Sequence, residues 1–369
     1  MPEILILGGY GNAGRQIAEL LLRHTSVNVI IAGRRADRAG ALAAELNARH
    51  GAGRATARQL DAAQLRGADL ATAGMVLAAS SSTEHARRVA EAAIEARIDY
   101  FDIQLSSPRK WEALRALAPR IERAGLCFIT DGGYHPGVPA ALVRYAAERI
   151  PEMGSAVVCA LMRLPWRQYE FSAEAVEEFV AEFQEFRPVC FSGGRWVESW
   201  TTSRKSDFGP PFGTAACQPM DMEEMRALPG RIPGLRETGF FVSGFDAITN
   251  NLTVPVVYVG LKVLPRAAAA LGRLFRYSLQ TFARPPYGCV ITLEARGKAA
   301  GKLRLRLSHE DGYFFTAAPV VACVKQYLAG GARRPGLHCQ GMLVEPAAFL
   351  ADLGAMGIKV ETVEDGVGR

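Results

Sequence analysis

Ile4 to Leu7 is an unbroken apolar run, and a glycine-rich turn separates it from Ile17, Ala18, Leu20, Leu21 and Leu22, which recur at helical spacing. A short strand without a polar face is buried on both sides, as in a parallel sheet covered by helices. The alternation repeats. Further strands are predicted at Val27 to Ala32, Arg54 to Gln59 and Met75 to Ala79, a fifth ends at Asp99 to Asp102, and a sixth runs Leu126 to Ile129; the second and sixth are again apolar runs. Helical periods fall between them, at Ala39 to Arg49, from a Thr83 cap to Glu95, at Trp111 to Arg123 and at Val138 to Ile150. Strands alternating with helices in this way argue for a doubly wound, mostly parallel α/β sheet with right-handed crossovers.

After Pro151 the pattern changes. Ala156 to Leu161 reads as a strand, and Ser172 to Phe186 as a helix with Ala175, Phe179 and Phe183 on one stripe. Pro188 to Val197 reads as a hairpin turning at Gly193-Gly194. Residues 203–239 are rich in Pro and Gly and suggest a long surface or lid segment. Ala247 to Gln280 is apolar and helical in tendency, interrupted by Pro255 and Pro265. Cys289 to Arg296 and Lys302 to Ser308 alternate, with Leu303, Leu305 and Leu307 on one face, as antiparallel strands covered on one side do. Helical spacing returns from Pro319 to Leu328 and from Pro346 to Met356, and Ile358 to Val363 is a last strand. The expected organisation is a first domain over 1–134 plus 319–369, with an α+β domain built on an antiparallel sheet inserted over 135–318.

The turn after the first strand carries the chemistry. Gly9, Gly11 and Gly14 fit G-x-G-x-x-G, and Gly8, Gly11 and Gly14 fit a looser spacing one residue away. Without Cβ atoms a diphosphate can approach the backbone of Gly8, Gly9, Tyr10 and Gly11. The N–H groups that open the helix at Asn12 and Ala13 lack internal acceptors and favour an anion. At the tip of the second strand, an acid would select NAD through the ribose 2′-hydroxyl. Here Gly33 is followed by Arg34 and Arg35, which suit a 2′-phosphate and favour NADP over NAD. Asp61, after the third strand, faces the adenine or caps a helix. The turn at Ala79 and Ser80 lies at the carboxyl edge, where it contacts cofactor or serves in capping. In the loop Asp131 to Gly137, Tyr134 and His135 are the groups suited to proton transfer. Asp102 orients a substrate amine or a histidine, or caps the next helix. Arg163, Arg167, Arg204 and Lys205 are candidates for a substrate carboxylate.

Composition narrows the partners. The net charge of +6 comes from scattered arginine without a basic block, which argues against nucleic acid. Seven cysteines, an odd number without C-x-x-C, suit reduced thiols in a cytoplasm, and six histidines show no metal-ligand spacing. No signal peptide precedes the first strand. The apolar run Val254 to Leu264 contains Lys262 and is too short to span a bilayer. Residues 252–271 read as a subunit contact in a homodimer in preference to a peripheral membrane surface.

The chain resembles the saccharopine dehydrogenase-like family of NAD(P)-dependent oxidoreductases. The resemblance rests on Ile4-Leu-Ile-Leu-Gly-Gly-Tyr-Gly-Asn-Ala-Gly-Arg15, Ala32-Gly-Arg-Arg35, Asp99-Tyr-Phe-Asp102, Asp131-Gly-Gly-Tyr-His-Pro-Gly-Val138, and the region from Pro335-Gly-Leu to Val344-Glu-Pro346. It covers the first domain and the tail, and the middle domain by general layout. It implies a Rossmann domain, an inserted substrate and dimerisation domain, and chemistry at a C–N bond through an imine. The expectation is hydride transfer between NADP and a small imine, amino-acid or carbonyl substrate bearing a carboxylate. The alternatives are a reductase of an activated double bond or apolar ketone, and an NADP-binding protein without turnover.

Overall fold

The computed structural model describes residues 3–80, 83–168, 185–298 and 301–365. The chain forms two compact units, Met1–Ala141 with Tyr313–Met356, and Leu142–Gly312 with Gly357–Arg369.

The first unit alternates β1 (Glu3–Leu7), α1 (Asn12–His24), β2 (Asn28–Gly33), α2 (Ala36–His50), β3 (Ala55–Gln59), β4 (Met75–Ala78), α3 (Ala86–Ala96), β5 (Asp99–Asp102), α4 (Pro108–Arg123) and β6 (Cys127–Thr130). With the strand Gly336–Cys339 they make a seven-stranded sheet in the order Gly336–Cys339, β6, β5, β4, β1, β2, β3. Every neighbouring pair is parallel. The inner strands β1, β2, β4 and β6 are buried on both faces because helices cover both, as Leu5, Ile6, Leu77 and Phe128, all inaccessible to solvent, show, whereas the edge strand β3 is mostly exposed. The chain winds outward from β1 to β3, then returns to β4 on the other side of β1. Such a reversal opens a crevice at the carboxyl ends of β1 and β4. At the opposite edge, the buried Asp99 carboxylate accepts hydrogen bonds from the Cys127 N–H (2.8 Å), the Tyr327 hydroxyl (2.5 Å) and Arg333 Nε (3.0 Å). One carboxylate thereby ties β5 and β6 to the returning 313–356 segment.

The second unit is built on nine strands. Eight are β7 (Met153–Arg163), β8 (Val189–Ser192), β9 (Arg195–Glu198), β10 (Arg204–Asp207), β11 (Thr214–Met220), β12 (Glu237–Ser243), β13 (Gly288–Gly297) and β14 (Lys302–His309), and the ninth is Lys359–Asp365. The sheet is mixed: β7 and β12 run parallel, and the other pairs are antiparallel. The β8–β9 hairpin turns through Gly193 and Gly194, both in the left-handed region at φ 61° and 85°. Type I′ turns require this at both central residues.

Four expectations are corrected. Residues 203–239 are no lid, because β10, β11 and the start of β12 lie there. The strands were hidden because they are small and polar; of Thr214 to Met220, only Cys217 and Pro219 are buried. The last strand, Lys359–Asp365, joins the second sheet. It pairs with β14, and Arg306 stands opposite Glu361 and forms an ion pair with it, a favourable cross-strand match. The helix expected from Pro319 runs Gly312–Leu328 with Pro319 inside it, so the chain re-enters the first unit at Tyr313. Finally, Thr83 does not cap α3. It opens a single 3₁₀ turn, and the capping position falls to His85, which makes no side-chain capping bond. The helix read at Ser172 to Phe186 lies largely outside the described residues, as do Ser81 and Ser82.

Candidate functional site

The turn between β1 and α1 is held by its own backbone. The Gly8 and Gly9 N–H groups donate to the Ala32 carbonyl (2.8 and 3.1 Å), and the Gly11 N–H donates to the Gly8 carbonyl (2.9 Å). Gly8 adopts φ +81°, where glycine alone is unstrained, and a Cβ there would come 2.8 Å from Ser80 N and 3.0 Å from the Ala79 carbonyl carbon. A Cβ on Gly14 would lie 2.3 Å from the Gly8 oxygen. Gly8, Gly9 and Gly14 are therefore the positions closed to any side chain, whereas Gly11 meets only the Gly8 oxygen at 3.1 Å. α1 starts at Asn12 after Gly11 with no side-chain cap and no acid in its first turn. Its first N–H groups, at Asn12, Ala13 and Gly14, have no intrahelical acceptor and face the turn with the positive end of the helix dipole. A diphosphate fits this cradle.

The tip of β2 is organised by Tyr10. Its ring fills the space above Gly33, where a Cβ would come within 2.5 Å of Tyr10 Cε1, and its hydroxyl accepts the Arg35 N–H (3.0 Å). Gln59 Nε2 donates to the Arg34 carbonyl (3.1 Å). The two arginines differ. Arg35 holds Asp37 through two bonds (2.8 and 3.3 Å), and that pairing keeps the Asp37 carboxyl below its usual range. Arg34 is exposed at the tip itself. Asp61 caps a 3₁₀ turn, accepting the Ala63 N–H (3.0 Å). Ala79 follows β4, its N–H on the Leu7 carbonyl (2.8 Å), and the Ser80 carbonyl accepts Gln104 Nε2 (3.2 Å).

Beside them, the loop after β6 is anchored by a buried charge cluster that sequence reasoning missed. Lys110, in the first turn of α4, is inaccessible to solvent, as are Asp102 and Asp131. Its ammonium donates to Asp102 Oδ1 (3.0 Å), Asp131 Oδ1 (2.7 Å) and the Gln104 carbonyl (2.8 Å), which uses all three of its hydrogens. Burial works against this charge, but the two carboxylates outweigh it and raise the Lys110 pKa above the ordinary lysine value. Asp131, in the left-handed region at φ 56°, also accepts the Ser106 hydroxyl (2.7 Å) and the Trp111 indole N–H (3.1 Å) through Oδ2. Burial, and then the Asp102 carboxylate, push the neighbouring Tyr100 phenol well above its usual range. Asp102 is thus enclosed as an anchor, with no exposed oxygen to offer a substrate. A lysine one helical turn from a Ser107 cap looks like a solvated surface residue. The signal for it was two acids, Asp102 and Asp131, ending apolar strands that must be buried.

From that anchor the loop is pinned residue by residue. The Gly132 N–H donates to the Asp102 carbonyl (3.0 Å), and Gln340 exchanges bonds with the Gly133 backbone (3.3 and 3.4 Å). Tyr134 is buried, its ring 4.6 Å from both His135 and Phe315. Burial lowers the His135 pKa from 6.5 to about 4, so the imidazole is neutral at pH 7. The unfolded chain therefore binds the extra proton between those values. Stability is fully present above the unfolded pKa and falls as pH drops through this window, by on the order of 2 kcal/mol at about pH 5. In urea titrations between neutral pH and about pH 5, His135→Gln should lose less stability than the parent protein; equal losses would remove His135 as the cause.

Residues 4–129 match the saccharopine dehydrogenase NADP binding domain. Among solved structures, apo histidine-tagged saccharopine dehydrogenase (L-Glu forming) from Saccharomyces cerevisiae is 15% identical over 98% of this chain and 100% of that one, with a TM-score of 0.69, and shares the fold. A myo-inositol dehydrogenase from Corynebacterium glutamicum (11% identity, 96% and 94% covered, TM-score 0.45) and a biliverdin reductase from Synechocystis in complex with biliverdin and NADP+ (14%, 95% and 96%, 0.40) are more distant in shape. No curated protein sequence matches the chain.

Proposed function

We propose, on the premise that this chain is a saccharopine dehydrogenase-like oxidoreductase using a nicotinamide dinucleotide, that its cofactor is NADP and that it exchanges a hydride with an imine, amino-acid or carbonyl carbon of a small molecule. The observation that carries the cofactor choice is the β2 tip. Its nearest acid, Asp37, is paired with Arg35, and Arg34 is exposed at the tip, where a guanidinium supports recognition of a 2′-phosphate.

The cofactor, when bound, supplies or takes up the hydride. The chain's part is to hold and orient. The α1 N–H groups grip the diphosphate, and the bare backbone of Gly8 and Gly9 lets it approach. The Asp102–Lys110–Asp131 cluster fixes the loop that carries His135 and the buried Tyr134. A neutral His135 can accept a proton, and Tyr134 is the donor candidate beside it. Among the carboxylate candidates, Arg167 donates to the Gln280 and Thr281 carbonyls, and Arg204 pairs with Glu237. Arg163 lines a cavity of about 190 Å³ in the second unit together with Trp166, Phe245, Asp246 and Arg284, and Arg284 donates to the Thr281 and Ala283 carbonyls, which leaves Arg163 as the candidate there.

Cofactor titration tests the reading. NADPH should bind more tightly than NADH. Arg34→Ala should weaken NADPH by about 10–100-fold, the worth of lost charge-assisted bonds, with little change for NADH. Arg35→Ala, which also releases Asp37, should likewise weaken NADPH more than NADH. Tighter NADH binding by the parent protein would overturn the choice of NADP. A screen of imine, amino-acid and oxo-acid substrates by NADPH absorbance then tests the reaction class, and turnover of apolar ketones alone would reject it.

A further inference from the structure

The helix Val254–Val263 carries one charge, Lys262, and is otherwise almost wholly apolar, on its outer as well as its inner side. Val257 and Leu261 are buried inward, while Ile248, Leu252, Val256, Val259, Val263 and Leu264 face outward, 45–69% exposed. A helix on a water-facing domain normally keeps a polar outer face, and one apolar all round is built for apolar surroundings. The next helix, Ala268–Phe282, carries exposed Leu274 and Tyr277. Trp200, also exposed, meets Tyr258 edge-on with ring centroids 4.8 Å apart. A contiguous patch of this kind marks an interaction surface.

Its charge says what covers it. Between Asp246 and Glu294 no acid occurs, and Lys262, Arg266, Arg273 and Arg276 fall there, besides Arg284 of the cavity described above. The Lys262 ammonium lies 4.3 Å from the centre of the Tyr258 ring, at the margin of the apolar stripe. We propose that this face docks on the surface of an anionic lipid bilayer. The aliphatic side chains enter the boundary of the acyl region, the cations sit at the level of the phosphates, and the Trp and Tyr rings take the zone between. With 10 and 15 residues the two helices lie on the bilayer, and among the described residues no helix is long and apolar enough to cross it. A second copy of the chain fits less well. A two-fold contact sets a face against itself, and here it would oppose cations to cations. The inference is independent of the cofactor reading.

Vesicle co-sedimentation of the full chain tests it, comparing phosphatidylcholine vesicles with phosphatidylcholine–phosphatidylserine vesicles. The parent protein should pellet with the anionic vesicles and much less with the neutral ones. The variant Val259→Asp with Val263→Asp, both outward-facing, should bind at least about tenfold more weakly while keeping the parent circular dichroism spectrum. Charge reversal by Arg266→Glu with Arg273→Glu should give a similar loss without touching an apolar contact. No pelleting with anionic vesicles, or undiminished pelleting of both variants, overturns the proposal. So does a dimer in sedimentation velocity that Val259→Asp with Val263→Asp dissociates while the parent ignores lipid, because the face would then be a contact between copies.

Discussion

Replacing Lys110 by methionine should destabilise the first unit by about 3–5 kcal/mol, the cost of leaving buried charge without its partner. Methionine keeps most of the volume, so a packing void contributes little. What is lost is the ammonium that Asp102, Asp131 and the Gln104 carbonyl share. Two carboxylates would then face each other with no access to solvent. Adding Asp102→Asn to the variant removes one of the two charges and should recover part of the stability, the non-additivity expected of groups in contact. Equilibrium urea unfolding measures all three. A change below about 1 kcal/mol for Lys110→Met would mean that the cluster is solvated and does not hold the loop.

The other large effect belongs to Gly14. A Cβ there would sit 2.3 Å from the Gly8 oxygen and 2.8 Å from Gly9 Cα. Both are backbone atoms of the cradle, so the turn itself must move. Gly14→Ala should cost about 1–3 kcal/mol of stability, as overpacking does. It should also weaken NADPH binding by at least about 100-fold, because displaced amides no longer converge on one anion. Gly11→Ala, with a single neighbour at 3.1 Å, should be milder. Gly40→Ala, in α2 with nothing within 4 Å, should stabilise by about 0.5–1 kcal/mol and leave binding unchanged. Full affinity in Gly14→Ala, measured by fluorescence titration with NADPH, would place the diphosphate elsewhere.

The first unit was legible because each of its signals is local. A strand buried on both faces is apolar at every position, a helix at its edge shows a 3.6-residue period, and a turn without Cβ atoms must be glycine. The second sheet was only half legible. β13 and β14 alternate strongly, whereas β10 and β11 use Ser206, Ala215 and Cys217 on their inner side and resemble a loop. The sheet that the strand Lys359–Asp365 would join could not be read at all. Alternation reports that a strand has a covered face, and its partner is chosen by an edge far away in sequence, here β14 with Arg306 awaiting Glu361. The site divides in the same way. Gly8, Gly9 and Gly14 follow from the backbone path. The enclosure of Asp102 depends on Lys110 folding back from another element, and the pairing of Asp37 with Arg35 on a rotamer.

The route of the chain sets the order in which it can fold during synthesis. The parallel sheet lacks an edge until residue 339 has left the ribosome, and the mixed sheet until residue 365 has. Until then β6 and β14 each present an unpaired ladder of backbone groups, an adhesive surface for any other nascent strand. The two closing strands follow each other closely in the chain, so neither sheet is completed long before the other.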